Sequence, residues 1–278
     1  MIASPLTRIV ALRMVTEDGD RLAHFYADAL GAQIEGVSAI GAADLAVLGV
    51  SGGTRWRLRV GGFAIEIDRF DEPGEAYPAD ANAADLRFQH FAAVVDDMTT
   101  AFDRAIACGA TLISQAGPVA LPAAAGGVVA VKLRDPDGHP FELLRFPADA
   151  DIVWRESVPN GRGILGIDHS AIVVADASRS RAFYAAAGLA ARGGSINRGP
   201  TQIALDGLGL DSVDVVPLFP AIDRPHLELL GYHGIGQRST AVAQIVDIAA
   251  TRTVWAAARA ALLRDPDGHL HELRSEAD

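Results

Sequence analysis

Two glutamates follow a repeated turn at the same distance. Asp135-Pro136-Asp137-Gly138-His139 recurs as Asp265-Pro266-Asp267-Gly268-His269, and Glu142 or Glu272 follows the Gly of each copy by four residues. Carboxylates presented from equivalent strands can hold a cation or move a proton. Repetition at a fixed offset also implies that one architecture is used more than once along the chain. Glu66, in Ala64-Ile65-Glu66-Ile67, and Glu228, in Leu227-Glu228-Leu229, have the same setting: an acid between apolar neighbours on a candidate strand.

The elements that must position these acids read as four modules. Each begins with an apolar strand, continues through an acidic cap and an amphipathic helix to a glycine, and ends in further strands. Module one opens at Arg8–Val15; its helix follows Asp18 or Asp20, carries Leu22, Phe25, Ala29 and Leu30 on one face, and stops at Gly31. Strands at Trp56–Val60 and Phe63–Ile67 join at Gly61-Gly62. Module two opens at Phe88–Val95, caps its helix with Asp96 or Asp97, and enters the Asp-Pro-Asp-Gly turn from a strand at Val128–Leu133. Pro suits the second position of a type I turn and Gly the fourth. Module three opens at Ile167–Val174, has its helix capped by Asp176, and ends in His226–Leu230.

Module four is expected to open at Ala241–Asp247 and to be short. Asp96 and Arg134 lie 38 positions apart, Asp247 and Arg264 only 17. The shortfall matches one strand of ~5–6 residues with its connections. Turn-rich connectors at 71–80 and 147–163 separate modules one and two, and modules two and three. The second connector is the expected domain boundary, giving units 1–150 and 160–278.

Half of the 278 residues are hydrophobic, as in a globular protein, and the formal charge is −11. That sign argues against nucleic acid and anionic membranes as main partners. No apolar run approaches the ~20 residues of a membrane helix. Met1-Ile2-Ala3-Ser4-Pro5 shows no secretory signal, and the single cysteine, Cys108, suits packing at a helix end in a reducing compartment. A soluble cytoplasmic protein, monomer or homodimer, is the expectation.

Four such modules, two of them ending in Asp-Pro-Asp-Gly-His…Glu, resemble the vicinal oxygen chelate superfamily of glyoxalase I, bleomycin-resistance proteins and extradiol dioxygenases. The start Ile167-Asp168-His169-Ser170-Ala171-Ile172 and the pairs Phe25-Tyr26 and Phe183-Tyr184 fit the same pattern. The resemblance implies an α+β fold in which βαβββ modules pair into two cup-shaped mixed sheets with helices outside. It also implies metal ligands on the first and last strands of each module. The candidate ligands are then His90, Glu142, His169, Glu228, Glu66 and Glu272, with Glu142 and Glu228 as candidate catalytic acids. A divalent ion (Fe, Mn, Ni or Zn) is the implied cofactor. The position equivalent to His90 is Val10 or Ala11 in module one and Ala241 in module four. Gln244 lies at an odd offset, on the opposite face of the expected strand.

Module pairing decides what these residues form. Pairing of neighbours, the favoured expectation, gives Glu66/His90/Glu142 and His169/Glu228/Glu272, neither of which is the two-His, one-carboxylate triad of an Fe(II) dioxygenase. Pairing of module two with module three gives His90/Glu142/His169/Glu228 and leaves the other cup without histidine. His139 and His269, after tight turns, and His24 and His233 are expected at the surface; His271 faces away from Glu272.

The implied function is that of a metal-dependent enzyme acting on a small substrate with vicinal oxygens. The alternative is a metal-free, antibiotic-binding type of protein, in which Trp56 and Phe63 line a cleft. A further alternative makes one half purely structural. Gly49-Val50-Ser51-Gly52-Gly53 fits the nucleophile-elbow pattern, but a strand follows where a helix is needed. Gly193-Gly194-Ser195 and Gly207-Leu208-Gly209 lack the strand-to-helix context of a phosphate loop.

Overall fold

The computed structural model describes residues 5–87, 89–150, 160–222, 224–235 and 239–275. Met1–Ser4, Phe88 and most of the second connector, 151–159, lie outside the described residues. Module one comprises β1 (Arg8–Val15), α1 (Gly19–Leu30), β2 (Gln33–Ala39), α2 (Ala42–Leu48), β3 (Gly53–Val60) and β4 (Phe63–Phe70). Module two comprises β5 (Gln89–Val95), α3 (Met98–Ala107), β6 (Thr111–Leu112), β7 (Val119–Ala120), β8 (Val129–Arg134) and β9 (Pro140–Arg145). Module three comprises β10 (Ile164–Val173), α4 (Ala177–Ala186), β11 (Ala190–Ala191), β12 (Ser195–Asn197), α5 (Pro200–Asp206), β13 (Ser212–Phe219) and β14 (His226–His233). Module four has only β15 (Arg252–Ala257), β16 (Ala261–Arg264) and β17 (Leu270–Ser275). The class is α+β, two curled mixed sheets with few helices.

Local chemistry explains the helices. Asp18, Asp97 and Asp176 each accept the backbone N–H three residues ahead at 3.0 Å, satisfying a donor that the first helical turn leaves open. Gly31 closes α1 in the left-handed conformation at φ 67°. The repeated turn also forms as its residues require. The Gly138 and Gly268 N–H groups donate to the carbonyls of Asp135 and Asp265, at 3.0 and 3.1 Å. The Asp135 side chain accepts from the N–H groups of Asp137 and His139, and from the hydroxyl of Tyr26 at 2.7 Å. Asp265 repeats this with Asp267, His269 and Tyr184. The tyrosine of each Phe-Tyr pair therefore anchors the turn of the following module. His139 and His269 are buried here, not at the surface, because their Nε2 atoms meet the carbonyls of Ile248 and Val173.

Sheet pairing departs from the favoured expectation. One sheet runs β16-β17-β15-β1-β4-β3-β2, joining modules one and four; the other runs β11-β13-β14-β10-β5-β9-β8-β6, joining two and three. Within a module the first strand pairs in parallel with the last, which leaves its other edge open. That edge is closed by an antiparallel first strand from another module, β1 on β15 and β5 on β10. Sequence neighbours share a core instead. Leu22, Tyr26 and Leu30 of α1 pack with Met98, Ala101 and Ala105 of α3 over strands of both modules, while Tyr184, Trp255 and Leu273 centre a second core over modules three and four. The strands of 1–150 and of 160–278 are thus divided between the two sheets, and the first core also takes in Ile164 and Ile167, the second Leu6 and Ile9.

Module four also differs in detail. Among the described residues it lacks a helix as well as a strand, and it opens at Arg252, not Ala241. Residues 241–247 form no strand: the carbonyl of Val246 and the carboxylate of Asp247 accept from the backbone of Gly74 and Glu75, which holds them against the first connector. No helix among the described residues is long and apolar enough to cross a membrane.

Candidate metal centre

The cup of modules two and three brings His90, Glu142, His169 and Glu228 together. Glu142 of β9, Ala92 of β5 and His169 of β10 lie in register as one row. Glu228 of β14, Ala171 of β10 and His90 of β5 form the next. Alternation along a strand puts His90 with Ala92, and His169 with Ala171, on the same face. The two alanines contribute only methyl groups between four polar side chains.

His90 Nε2 lies 3.1 Å from Glu142 Oε2. His169 Nε2 lies 3.6 Å from both Glu142 Oε2 and Glu228 Oε2 and has no hydrogen-bond partner among the described residues. Its Nδ1 is 3.1 Å from Asp168 Oδ2. With Nδ1–H donated to that carboxylate, a neutral His169 turns a lone pair toward two carboxylate oxygens. Such an arrangement calls for a positive charge: a proton on Nε2, or a cation between the three groups.

The electrostatics agree. Burial lowers His169, but Glu228, Asp168 and Glu142 outweigh it and hold its pKa well above the ordinary imidazole value. Burial dominates at His90 and lowers it. Burial raises Glu142, yet the rings of His169 and His90 and the charge of Lys132 hold it far below the usual carboxylate range. Glu228 is lowered against its burial by His169 and His226. The other nearby carboxylates have fixed cations: Lys132 Nζ meets Asp206 Oδ1 at 2.6 Å, and Arg224 bonds Asp168. Among the described residues Glu142 and Glu228 have no such partner, and two uncompensated carboxylates match the charge of one divalent ion. Two imidazole nitrogens with two carboxylate oxygens is a donor set that suits Fe, Mn, Ni or Zn.

Glu66 and Glu272 lie in the other cup, in different company. Arg13 bonds both, and Arg274 adds contacts to Glu66 at 2.8 and 2.9 Å. Arg252 bonds Asp68 and approaches Glu272 at 3.5 Å; Arg55 bonds Asp68 at 2.6 Å and also Asp44. Burial raises Glu66, but Arg13, Arg274 and Arg55 bring it down to about 2. Register explains the exchange. Arg13 stands opposite Glu66, where Ala92 stands opposite Glu142, and Arg252 takes the place of His169. Ala11 and Val254 occupy the positions of His90 and Ala171. Four arginines balance Asp44, Glu66, Asp68 and Glu272, so among the described residues the acids of this cup already have fixed cations. Arg252, not Ala241, is therefore module four's counterpart to the histidines.

Sequence reasoning missed His226 and the Lys132–Asp206 pair. His226 precedes Glu228 by two residues, hence shares its face, and its Nε2 lies 3.2 Å from Glu228 Oε1. Strand alternation alone could have found it. Gln244 lies on no strand, and His271 faces away from the cup, bonded to Tyr184 and Trp255. Trp56 is a core residue whose Nε1 donates to Asp20 at 2.8 Å. Cys108 is half-buried at the C-cap of α3.

A cavity of about 320 Å³ adjoins the His/Glu cluster, walled by residues of modules two and three. Two curled sheets, each built from a pair of modules through their first strands, define the class of fold. A family model for a glyoxalase-like domain matches residues 10–144. That stretch spans modules one and two, and the chain as a whole has a glyoxalase-like fold. Glyoxalase I from Zea mays is similar in fold, with 18% identity and a TM-score of 0.61 over 98% of this chain and 93% of that one. A putative dioxygenase from Bacillus subtilis has 12% identity and a TM-score of 0.58 over 99% and 87%. No curated protein matches the chain.

Proposed function

We propose that this protein is a divalent-metal-dependent enzyme acting on a small substrate with two neighbouring oxygens, its ion held by His90, Glu142, His169 and Glu228. One observation carries this reading. The buried Nε2 of His169 is 3.6 Å from the oxygens of two glutamates that no fixed cation balances. A bound divalent ion would supply Lewis-acid polarisation of the substrate's two oxygens.

The chain's own residues do the rest. Asp168 sets the ring of His169 by accepting from Nδ1, and His226 steadies one oxygen of Glu228. Glu228 is the proton-moving group. Its side chain is 16% exposed, against 8% for Glu142, so it is the more open to a molecule in the cavity. Its lowered pKa makes it a carboxylate at neutral pH, ready to take a proton from the carbon beside one substrate oxygen and deliver it to the neighbouring carbon. Glu142, deeper and bonded to His90, stays in place as a ligand.

Elemental analysis after stripping and reloading tests this. One ion per chain is expected in the wild type and in Arg274→Ala of the other cup, and none in His90→Ala or His169→Ala. Substoichiometric uptake by reloaded wild type would sink the proposal.

A second reading, a metal-free small-molecule binder, draws on the His90–Glu142 hydrogen bond and a protonated His169, which close the network without an ion. Under it, small molecules would stabilise the EDTA-treated protein as well as the reloaded one.

A further inference from the structure

Beyond the His/Glu cluster the cavity has two kinds of wall. Leu121, Val128, Leu144, Leu205, Val215 and Leu230 give it an apolar body. The polar end is built from Lys132, Gln202 and Tyr232, with Asp206 behind them. Lys132 is the only permanent cation among the described lining residues, and Asp206 holds it at 2.6 Å. The other Asp206 oxygen accepts from Gln202 Nε2 at 2.7 Å. That bond fixes the amide's orientation, since only its N–H end can donate to a carboxylate. Among the described residues Gln202 Oε1 is left buried with no partner, and the hydroxyl of Tyr232 makes no close hydrogen bond either, although Asp206 and Lys132 stand near enough to act on it. Burial, with the nearby charge of Asp206, keeps that phenol protonated.

We propose that this cavity selects an uncharged substrate with an apolar body and a distal hydroxyl, bound between Gln202 Oε1 and the Tyr232 hydroxyl. The inference rests on the metal-centre reading for the other end of the molecule. A hydroxyl donates once and accepts once, and these two groups ask for one of each. A carboxylate or phosphonate would set its oxygens against the Gln202 carbonyl and the charge of Asp206, with Lys132 already engaged. Sites built for a hydroxyl discriminate strongly against analogues that leave buried polar groups unmet.

Three catechols of similar size decide the matter by titration calorimetry: 4-(2-hydroxyethyl)catechol, 4-ethylcatechol and 3,4-dihydroxyphenylacetate. The hydroxyethyl compound should bind about tenfold or more tighter than the ethyl one, and the carboxylate weakest of all. Carboxylate binding as tight as hydroxyl binding, or no binding by any of the three, overturns the proposal. Tyr232→Phe should raise the Tm of the free protein, because an unmet buried hydroxyl is removed, and should abolish the preference for hydroxyethyl over ethyl. A lower Tm with the preference intact goes against it. Each titration is run on metal-loaded and EDTA-treated protein with metal content measured. If no ion is taken up, the metal reading fails, while the ranking on metal-free protein still decides this one.

Discussion

The two cups share one backbone plan and solve one electrostatic problem in two ways. Each has a glutamate on the last strand of both modules. In the cup of modules one and four, Arg13 and Arg252 stand in register with those acids, and Arg55 and Arg274 complete the balance. In the cup of modules two and three, alanines and histidines stand there, and the balance is left to protons or a cation. The difference teaches that acids in equivalent places do not identify a site; the neighbour that neutralises them does. A guanidinium fills space and supplies permanent charge, whereas an imidazole leaves room and supplies a lone pair.

The largest test of this contrast removes a permanent counter-ion. Arg13→Met should strand Glu66 and Glu272 in the interior and lower stability by about 3–5 kcal/mol, read by urea unfolding. Metal stoichiometry in the folded fraction should not change; a fall there would mean that the cups are not independent.

Cation addition should act only on the other cup. At hundredfold excess over its Kd, an ion that binds only the folded chain stabilises it by about 2.7 kcal/mol. Wild type and Arg274→Ala should show that gain in thermal unfolding, and His169→Ala should not. An equal gain in His169→Ala would move the ion elsewhere.

The pH dependence should have opposite signs in the two cups. A His whose folded pKa is raised stabilises the fold below its unfolded value near ~6.5 and loses that contribution as pH climbs through the raised value. EDTA-treated protein should therefore weaken on the alkaline side through His169. Glu66 is depressed to about 2, so its contribution is present above the ordinary carboxylate range and disappears as pH falls toward that value. Unfolding of His169→Ala and wild type across the pH range separates the two. An unchanged alkaline limb in the variant would remove His169 as its source.

Arg274→Ala should have the smallest effect. Its side chain is 38% exposed and Glu66 retains Arg13, so a loss of roughly 0.5–1 kcal/mol is expected. A loss as large as that of Arg13→Met would show that the rim arginine, not the buried one, carries the balance.

Much of this was legible in the residues, for physical reasons. The caps, the glycine stops and the Asp-Pro-Asp-Gly turn are local chemistry, and they form as their residue types demand. His90, Glu142, His169 and Glu228 could be placed at equivalent positions because strand alternation is local too. Pairing was not legible: an open strand edge accepts any suitable partner, and no residue of β1 advertises β15. Module four misled because Ala241–Asp247 alternates like a strand yet docks on a connector. The true strand, Arg252–Ala257, ends in alanines with little β preference and is held by β1 and β17. The arginine network was invisible because its members lie on four strands, β1, β3, β15 and β17, and look like surface charges in isolation.

The pairing of β1 with β15 has a consequence for how the chain is made. Arg13 finds Glu272 at a separation of 259 residues. On the ribosome, the edge of β1 must wait for β15, which begins at Arg252, while the helices beneath it can already pack. During that interval an unsatisfied strand edge and a buried arginine are open to wrong company. Synthesis speed and chaperone supply, more than the stability of the finished molecule, should govern how much of this protein a cell obtains.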